Sequence, residues 1–207
     1  MQNTFVVDHP VIQTKLTELR DYTTDHSKFR SLLDEIAMLM TYEITRDFPT
    51  KPKPVQTPLE QTFGVVLARP VTLVPILRAG LGMTDGVLRV LPEARLGHLG
   101  VQRNEATLEP VAYYQKLPPD VASTEVLLID PMLATGGSAV AAVAFLKRAG
   151  ATSIKFVCLV AAPEGVAALH TAHPDVPIFC AAVDRQLNAK GYILPGLGDA
   201  GDRLFGT

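Results

Sequence analysis

The sequence predicts an α/β fold in which a central, mostly parallel β-sheet is flanked by helices. Two observations predict it. From residue 64 onward, short apolar runs alternate with glycine-containing loops and helical stretches, the pattern of parallel strands joined by crossover helices. The runs are apolar almost throughout instead of alternating with polar residues, which suits strands covered on both faces. A length of 207 residues fits one domain spanning 1–207.

The first third reads helical. After His9-Pro10, the residues Val11, Ile12, Leu16 and Leu19 recur with helical period, and Phe29, Leu32, Leu33, Ile36, Leu39 and Met40 do so again after a cap at Ser27, until Pro49. Lys-Pro-Lys-Pro at 51–54 is expected to be a turn or short extended link. Strands are expected over Val71–Leu77, Arg95–Val101, Val126–Ile129, Ile154–Val160 and Ile178–Val183, with helices near 80–90, 138–149 and 164–172. The more polar segment 97–118 interrupts this alternation and is expected to project as a hairpin with Asn104-Glu105 at its tip. Residues 191–207 are too rich in glycine for a helix or a continuous strand.

Lys plus Arg number 19 and Asp plus Glu 21, a net charge of −2. No global field draws such a chain onto nucleic acid or anionic lipid, so an anionic ligand must be held locally. With 47% hydrophobic and 19% charged residues the chain is expected to be compact, not disordered. It has no apolar run long enough for a membrane helix, and MQNTFVVDHP does not read as a signal peptide, so a cytoplasmic protein is expected. Cys158 and Cys180, inside apolar runs and far from C-x-x-C spacing, read as buried free thiols.

Residues 125–150, EVLLIDPMLATGGSAVAAVAFLKRAG, carry the strongest chemical signal. A buried strand ends at Asp130, passes through Thr135-Gly136-Gly137-Ser138 and enters an alanine-rich helix. In an open parallel sheet, ligands bind beyond the carboxyl ends of strands, against helix N-termini. The two glycines let a phosphate approach the backbone, the hydroxyls add donors, and Asp130 can accept from ribose hydroxyls. No lysine precedes Ser138 and no G-x-G-x-x-G follows a first strand, so a sugar phosphate fits better than a nucleoside triphosphate or dinucleotide. A tight βα turn with a serine cap would show the same four residues; the acid at the strand end favours the ligand.

The run Asp130-Pro131-Met132-Leu133-Ala134-Thr135-Gly136-Gly137-Ser138 resembles the phosphoribosyl-pyrophosphate loop of type I phosphoribosyltransferases, in the uracil branch. The likeness extends to the block 74–83, VPILRAGLGM, and to 191–203, GYILPGLGDAGDR, in the same order along the chain. Most type I relatives carry a second acid where Pro131 stands, a departure that agrees with the uracil branch. The resemblance implies the type I phosphoribosyltransferase fold, with a projecting hairpin flap and a C-terminal hood over the base.

It further implies that uracil and 5-phospho-α-D-ribose 1-diphosphate (PRPP) react to UMP and diphosphate. Arg78 and Asp130 would be catalytic, with Arg78 and Arg103 on the pyrophosphate, residues 130–138 around the 5′-phosphate and ribose, and Asp199 toward metal or pyrophosphate. Backbone groups of Ile193, Gly198 and Ala200, beside Asp199, would read the uracil edge. Mg²⁺ would arrive with the substrate and touch protein mainly through water, with no dedicated cage. Homodimers or homotetramers and activation by GTP are family traits that the residues themselves neither show nor exclude.

Asp184 and Asp202 have weaker claims to the site. His170 and His173 share a helix end, but a metal pair there is a poor reading, and Tyr113-Tyr114 reads as hairpin packing. Two other functions stay open: transfer to a different base, and a regulatory RNA-binding protein on the same fold. The second needs a basic stripe, which the sequence lacks.

Overall fold

A computed structural model describes residues 3–103 and 110–207, and the side chains of 3–101 and 113–207. The chain begins with a short strand, β1 (Thr4–Val6), followed by helices α1 (Pro10–Arg20) and α2 (His26–Ile44). Pro10 occupies the first turn of α1, where its missing N–H costs no hydrogen bond. The cap of α2 is Asp25, not Ser27, because the Asp25 carboxylate accepts from both Ser27 N and Lys28 N. The helix closes at Ile44, five residues ahead of Pro49.

The Lys-Pro-Lys-Pro segment is not a link. It lies in β2 (Thr50–Gln56), which pairs with β3 (Gln61–Leu67) as an antiparallel hairpin. Proline is tolerated because β2 has a single neighbour, and its outer edge needs no N–H donors.

The remaining elements are β4 (Val71–Leu77), a 3₁₀ turn at Ala79–Met83, α3 (Thr84–Val90), β5 (Arg95–Leu96), β6 (His98–Arg103), β7 (Pro110–Lys116), a second 3₁₀ turn at Val121–Ser123, β8 (Glu125–Ile129), β9 (Met132–Leu133), α4 (Gly137–Arg148), β10 (Ser153–Ala161), α5 (Pro163–Ala172), β11 (Ile178–Val183), β12 (Gln186–Leu187), β13 (Ile193–Leu194) and α6 (Ala200–Phe205). The expected strand Arg95–Val101 is split into β5 and β6. The glycine-rich end does hold a helix, α6, which Asp199 caps by accepting from Asp202 N.

The main sheet runs β1-β11-β10-β8-β4-β6-β7, parallel except for the β6–β7 hairpin. The hairpin is where the sequence predicts it, while Asn104-Glu105 lie outside the described residues. Alternate strand residues serve opposite cores, as the two-residue period requires. Leu127 and Ile129 of β8 pack with Phe29, Leu33 and Ile36 of α2, whereas Val126 and Leu128 pack with Val143 and Leu146 of α4. Burial on both sides explains the continuous apolar runs. Cys158 and Cys180, paired across β10 and β11, are buried free thiols as expected. No described helix is long and apolar enough to cross a membrane.

Candidate active site

Strands β4 and β8 are parallel neighbours, but the chain leaves them in opposite directions. From β4 it passes through α3 to β5 and β6 on one side; from β8 it passes through α4 to β10 on the other. Such a switch point opens a crevice at the carboxyl ends of the strands. Arg78 and Asp130 are the residues that follow β4 and β8 there.

The segment after Asp130 is fixed by its backbone. The Pro131 carbonyl accepts from Leu159 N and Val160 N, at 3.0 and 3.1 Å, and the Leu133 carbonyl accepts from Ala162 N at 2.9 Å. Gly165 at the start of α5 packs so closely that a Cβ would stand 2.4 Å from the Ala134 carbonyl oxygen. This rigid arc, closed by Thr135-Gly136-Gly137-Ser138, surrounds a cavity of about 90 Å³ at the N-terminus of α4.

The two glycines of the arc have different reasons. Gly136 has φ +83°, a left-handed conformation that a Cβ disfavours, and its Cβ would meet Ala168 and the Gly165 carbonyl. At Gly137 a Cβ would meet nothing nearer than Thr135 Oγ1 at 3.9 Å. The protein alone leaves room there for a side chain, and Gly137 lines the cavity. Backbone amides and a helix N-terminus around such a space suit a phosphate.

A second cavity, about 250 Å³, adjoins the first and shares Asp130, Met132 and Ala134 with it. Its other walls are Ala79 and the hood residues Gly191, Tyr192, Ile193, Gly198, Asp199, Ala200 and Gly201. Every residue expected to meet the base therefore lines one cavity. Burial pushes the Asp130 carboxyl up to about 7; the Met132 N–H opposes the shift and the Asp199 charge adds to it. Two carboxylates so placed are oxygen donors of the kind Mg²⁺ prefers. Among the described residues no group of three or more His, Cys, Asp or Glu could hold a metal.

Arg78 lines neither cavity, although its neighbour Ala79 lines the larger one. Its guanidinium lies over the Phe205 ring, 5.4 Å from the centroid, and 4.0 Å from Asp202. Arg103 ends β6, and its side chain falls outside the described ones. Asp184 does not line the cavities. His170 and His173 are engaged separately, His170 Nε2 near the Asn3 carbonyl at 3.3 Å and His173 Nε2 near the Val140 carbonyl at 3.1 Å. Tyr113 lies across Gly100 within the hairpin. Sequence reasoning missed Ala79, Ala139, Gly191, Tyr192 and Gly201 as lining residues. Each stands one or two positions from a residue it did select, so contiguity was the available signal.

A family model described as uracil phosphoribosyltransferase matches residues 6–207. The protein named uracil phosphoribosyltransferase from Halalkalibacterium halodurans is 58% identical over 208 residues, covering 100% of both chains. Its namesake from Dictyoglomus turgidum is 58% identical over 203 residues, 98% of each. The solved structure of the AQ2163 protein from Aquifex aeolicus is 39% identical, with TM-score 0.92 over 98% of this chain and 97% of that one. The adenine phosphoribosyltransferase of Trypanosoma brucei shares the fold at 14% identity, with TM-score 0.60 over 96% of this chain and 89% of that one.

Proposed function

This chain belongs to the uracil phosphoribosyltransferase family, and we propose that its cleft joins uracil to the ribose of PRPP, giving UMP and pyrophosphate in pyrimidine salvage. One observation carries the assignment to the cleft: a phosphate-sized cavity and a base-sized cavity meet at Asp130. A bound sugar phosphate then puts its ribose between them.

Breaking the anomeric C–O bond develops oxocarbenium character on the sugar and negative charge on the pyrophosphate. Catalysis amounts to stabilising that charge and aiming uracil N1 at the anomeric carbon. The backbone of 135–138 anchors the 5′-phosphate, and Met132 to Ala134 form the wall under the ribose, while Pro131 is buried and lines neither cavity. Asp130 accepts from its hydroxyls. Arg78 presents a planar fork of donors to the pyrophosphate, joined by Arg103 from the hairpin. Backbone groups of Ile193, Gly198 and Ala200 match the uracil edge, with Asp199 at the pyrophosphate side. A base with the wrong edge leaves buried polar groups unpaired, which can reject it by about 10⁴-fold.

Asp130 and Asp199 would hold Mg²⁺, which would supply positive charge to the pyrophosphate. Family membership supports a homodimer or homotetramer and activation by GTP. Two buried free thiols favour a reducing, cytoplasmic setting, and a family match over 6–207 favours one functional unit spanning 1–207.

The test is to incubate the protein with labelled uracil, PRPP and Mg²⁺, with cytosine and hypoxanthine in parallel. UMP forms from uracil alone. Absence of UMP, or equal turnover of another base, overturns the reading.

A further inference from the structure

The hood turn that carries the base-reading residues is gripped from outside the cavity by a buried ion pair. Asp184 follows β11, and its side chain is 6% exposed; Arg20, the last residue of α1, is 22% exposed. Two parallel bonds of 2.7 Å join them, Arg20 Nη1 to Asp184 Oδ2 and Nη2 to Oδ1. The same two side chains take both backbone polar groups of Gly196. Arg20 Nη1 donates to its carbonyl at 2.7 Å, and its N–H donates to Asp184 Oδ2 at 2.8 Å. Gly196 has φ +63°, and a Cβ on it would stand 2.2 Å from the Ile193 carbonyl oxygen. The turn is therefore folded hard against Ile193 and held by an external clamp.

A second arginine repeats the arrangement one residue further on. Arg203 Nη1 donates to the carbonyls of Leu197 and Leu19, at 3.0 and 2.7 Å, and Nη2 to that of Asp21 at 2.6 Å. Its guanidinium lies over Phe29, 4.5 Å from the ring centroid, and Gly198 has only Arg203 Cδ behind it, 3.5 Å from where a Cβ would be. Gly196 and Leu197 are thus fastened to residues 19–21, while Ile193 and Gly198 on either side of them line the base cavity.

We propose that Arg20 and Asp184 are positioning residues for base recognition: they set the direction of the backbone groups around Ile193 and Gly198 without touching the substrate. The proposal rests on the uracil reading of the cavity. Backbone recognition depends on carbonyl and amide directions, and these follow the turn. Loosening the clamp weakens the fit to uracil while leaving the phosphate arc, built on β8, β10 and α4, unchanged.

The experiment compares Arg20→Met, Arg20→Lys and Asp184→Asn with the parent protein, measuring KM for uracil, KM for PRPP, kcat and thermal midpoint. In Arg20→Met, KM for uracil rises about tenfold or more, since a charge-assisted bidentate bond is lost, while KM for PRPP stays within about twofold of the parent. Arg20→Lys keeps the charge but not the fork and gives an intermediate rise. If Arg20→Met does not fold, Arg20→Lys and Asp184→Asn carry the test. Unchanged KM for uracil in the folded variants, or an equal rise in both KM values, overturns the proposal. Failure of the parent protein to make UMP would instead overturn the uracil reading.

Discussion

The guanidinium of Arg78 rests over the ring of Phe205, so the arginine that follows β4 is docked on the last helix of the chain. Arg78→Ala removes the fork assigned to pyrophosphate and lowers kcat/KM for PRPP by about 10- to 100-fold. Phe205→Leu removes only the aromatic face, worth about 0.5–1 kcal/mol at an exposed site, and changes kcat/KM a few-fold. Steady-state kinetics of the two variants check this. Full activity in Arg78→Ala removes Arg78 from the mechanism.

Adjacent glycines should separate binding from folding. Gly136→Ala forces a side chain into the left-handed region and lowers stability by about 1–2 kcal/mol. Gly137→Ala meets no protein obstacle and leaves the melting midpoint equal or slightly higher, yet it fills ligand space and raises KM for PRPP about 10- to 100-fold. Thermal denaturation beside PRPP kinetics decides. A Gly137→Ala enzyme with parental KM shows that no phosphate approaches there.

The raised carboxyl of Asp130 makes stability depend on pH in a stated direction. Its ordinary value is 3.8 and its folded value about 7, so between these the unfolded chain loses a proton that the native state keeps. Folding stability contributed by this group falls as pH rises across that window and levels off above about 7, by at most about 4 kcal/mol. Asp130→Asn has no such proton. The variant is therefore expected to gain on the parent from pH 5 to pH 7 and hold the gain at pH 8, while losing activity. A gap in midpoint that does not change with pH contradicts the raised carboxyl.

Burial pushes the Cys158 thiol up, with the neighbouring Cys180 adding to the shift. The thiolate is the reactive form. A thiol-specific reagent should label neither cysteine in the folded protein, and both once denaturant is added, with the same thermal midpoint in the presence or absence of reductant. Rapid labelling of the native protein would contradict the buried placement.

What could be read from the sequence follows from how local each feature is. The strands stand out because two-sided burial makes them continuously apolar. The arc around the smaller cavity is legible because its residues, Asp130 to Ser138, are contiguous. Helix α6 is hidden because glycines argue against a helix, although Gly206 has φ +71° and ends the helix as a left-handed cap. Prolines in β2 suggest a link because propensity does not register an open edge. Arg20 has no local signal at all, since its partner Asp184 lies 164 positions away.

Strand β1 pairs with β11, Thr4 opposite Ile178, so the first strand made waits for nearly the last. At roughly 5–20 residues per second of synthesis, that wait is about 9–35 seconds. During it the edge of β1 and the carbonyls of Leu19 and Asp21 lack their final partners. The arc from Asp130 to Ser138 is fixed by β10, Ala162 and Gly165, all of which are made before β11. On the ribosome, every contact that fixes the arc is therefore made before residues 191–201, the other wall of the larger cavity.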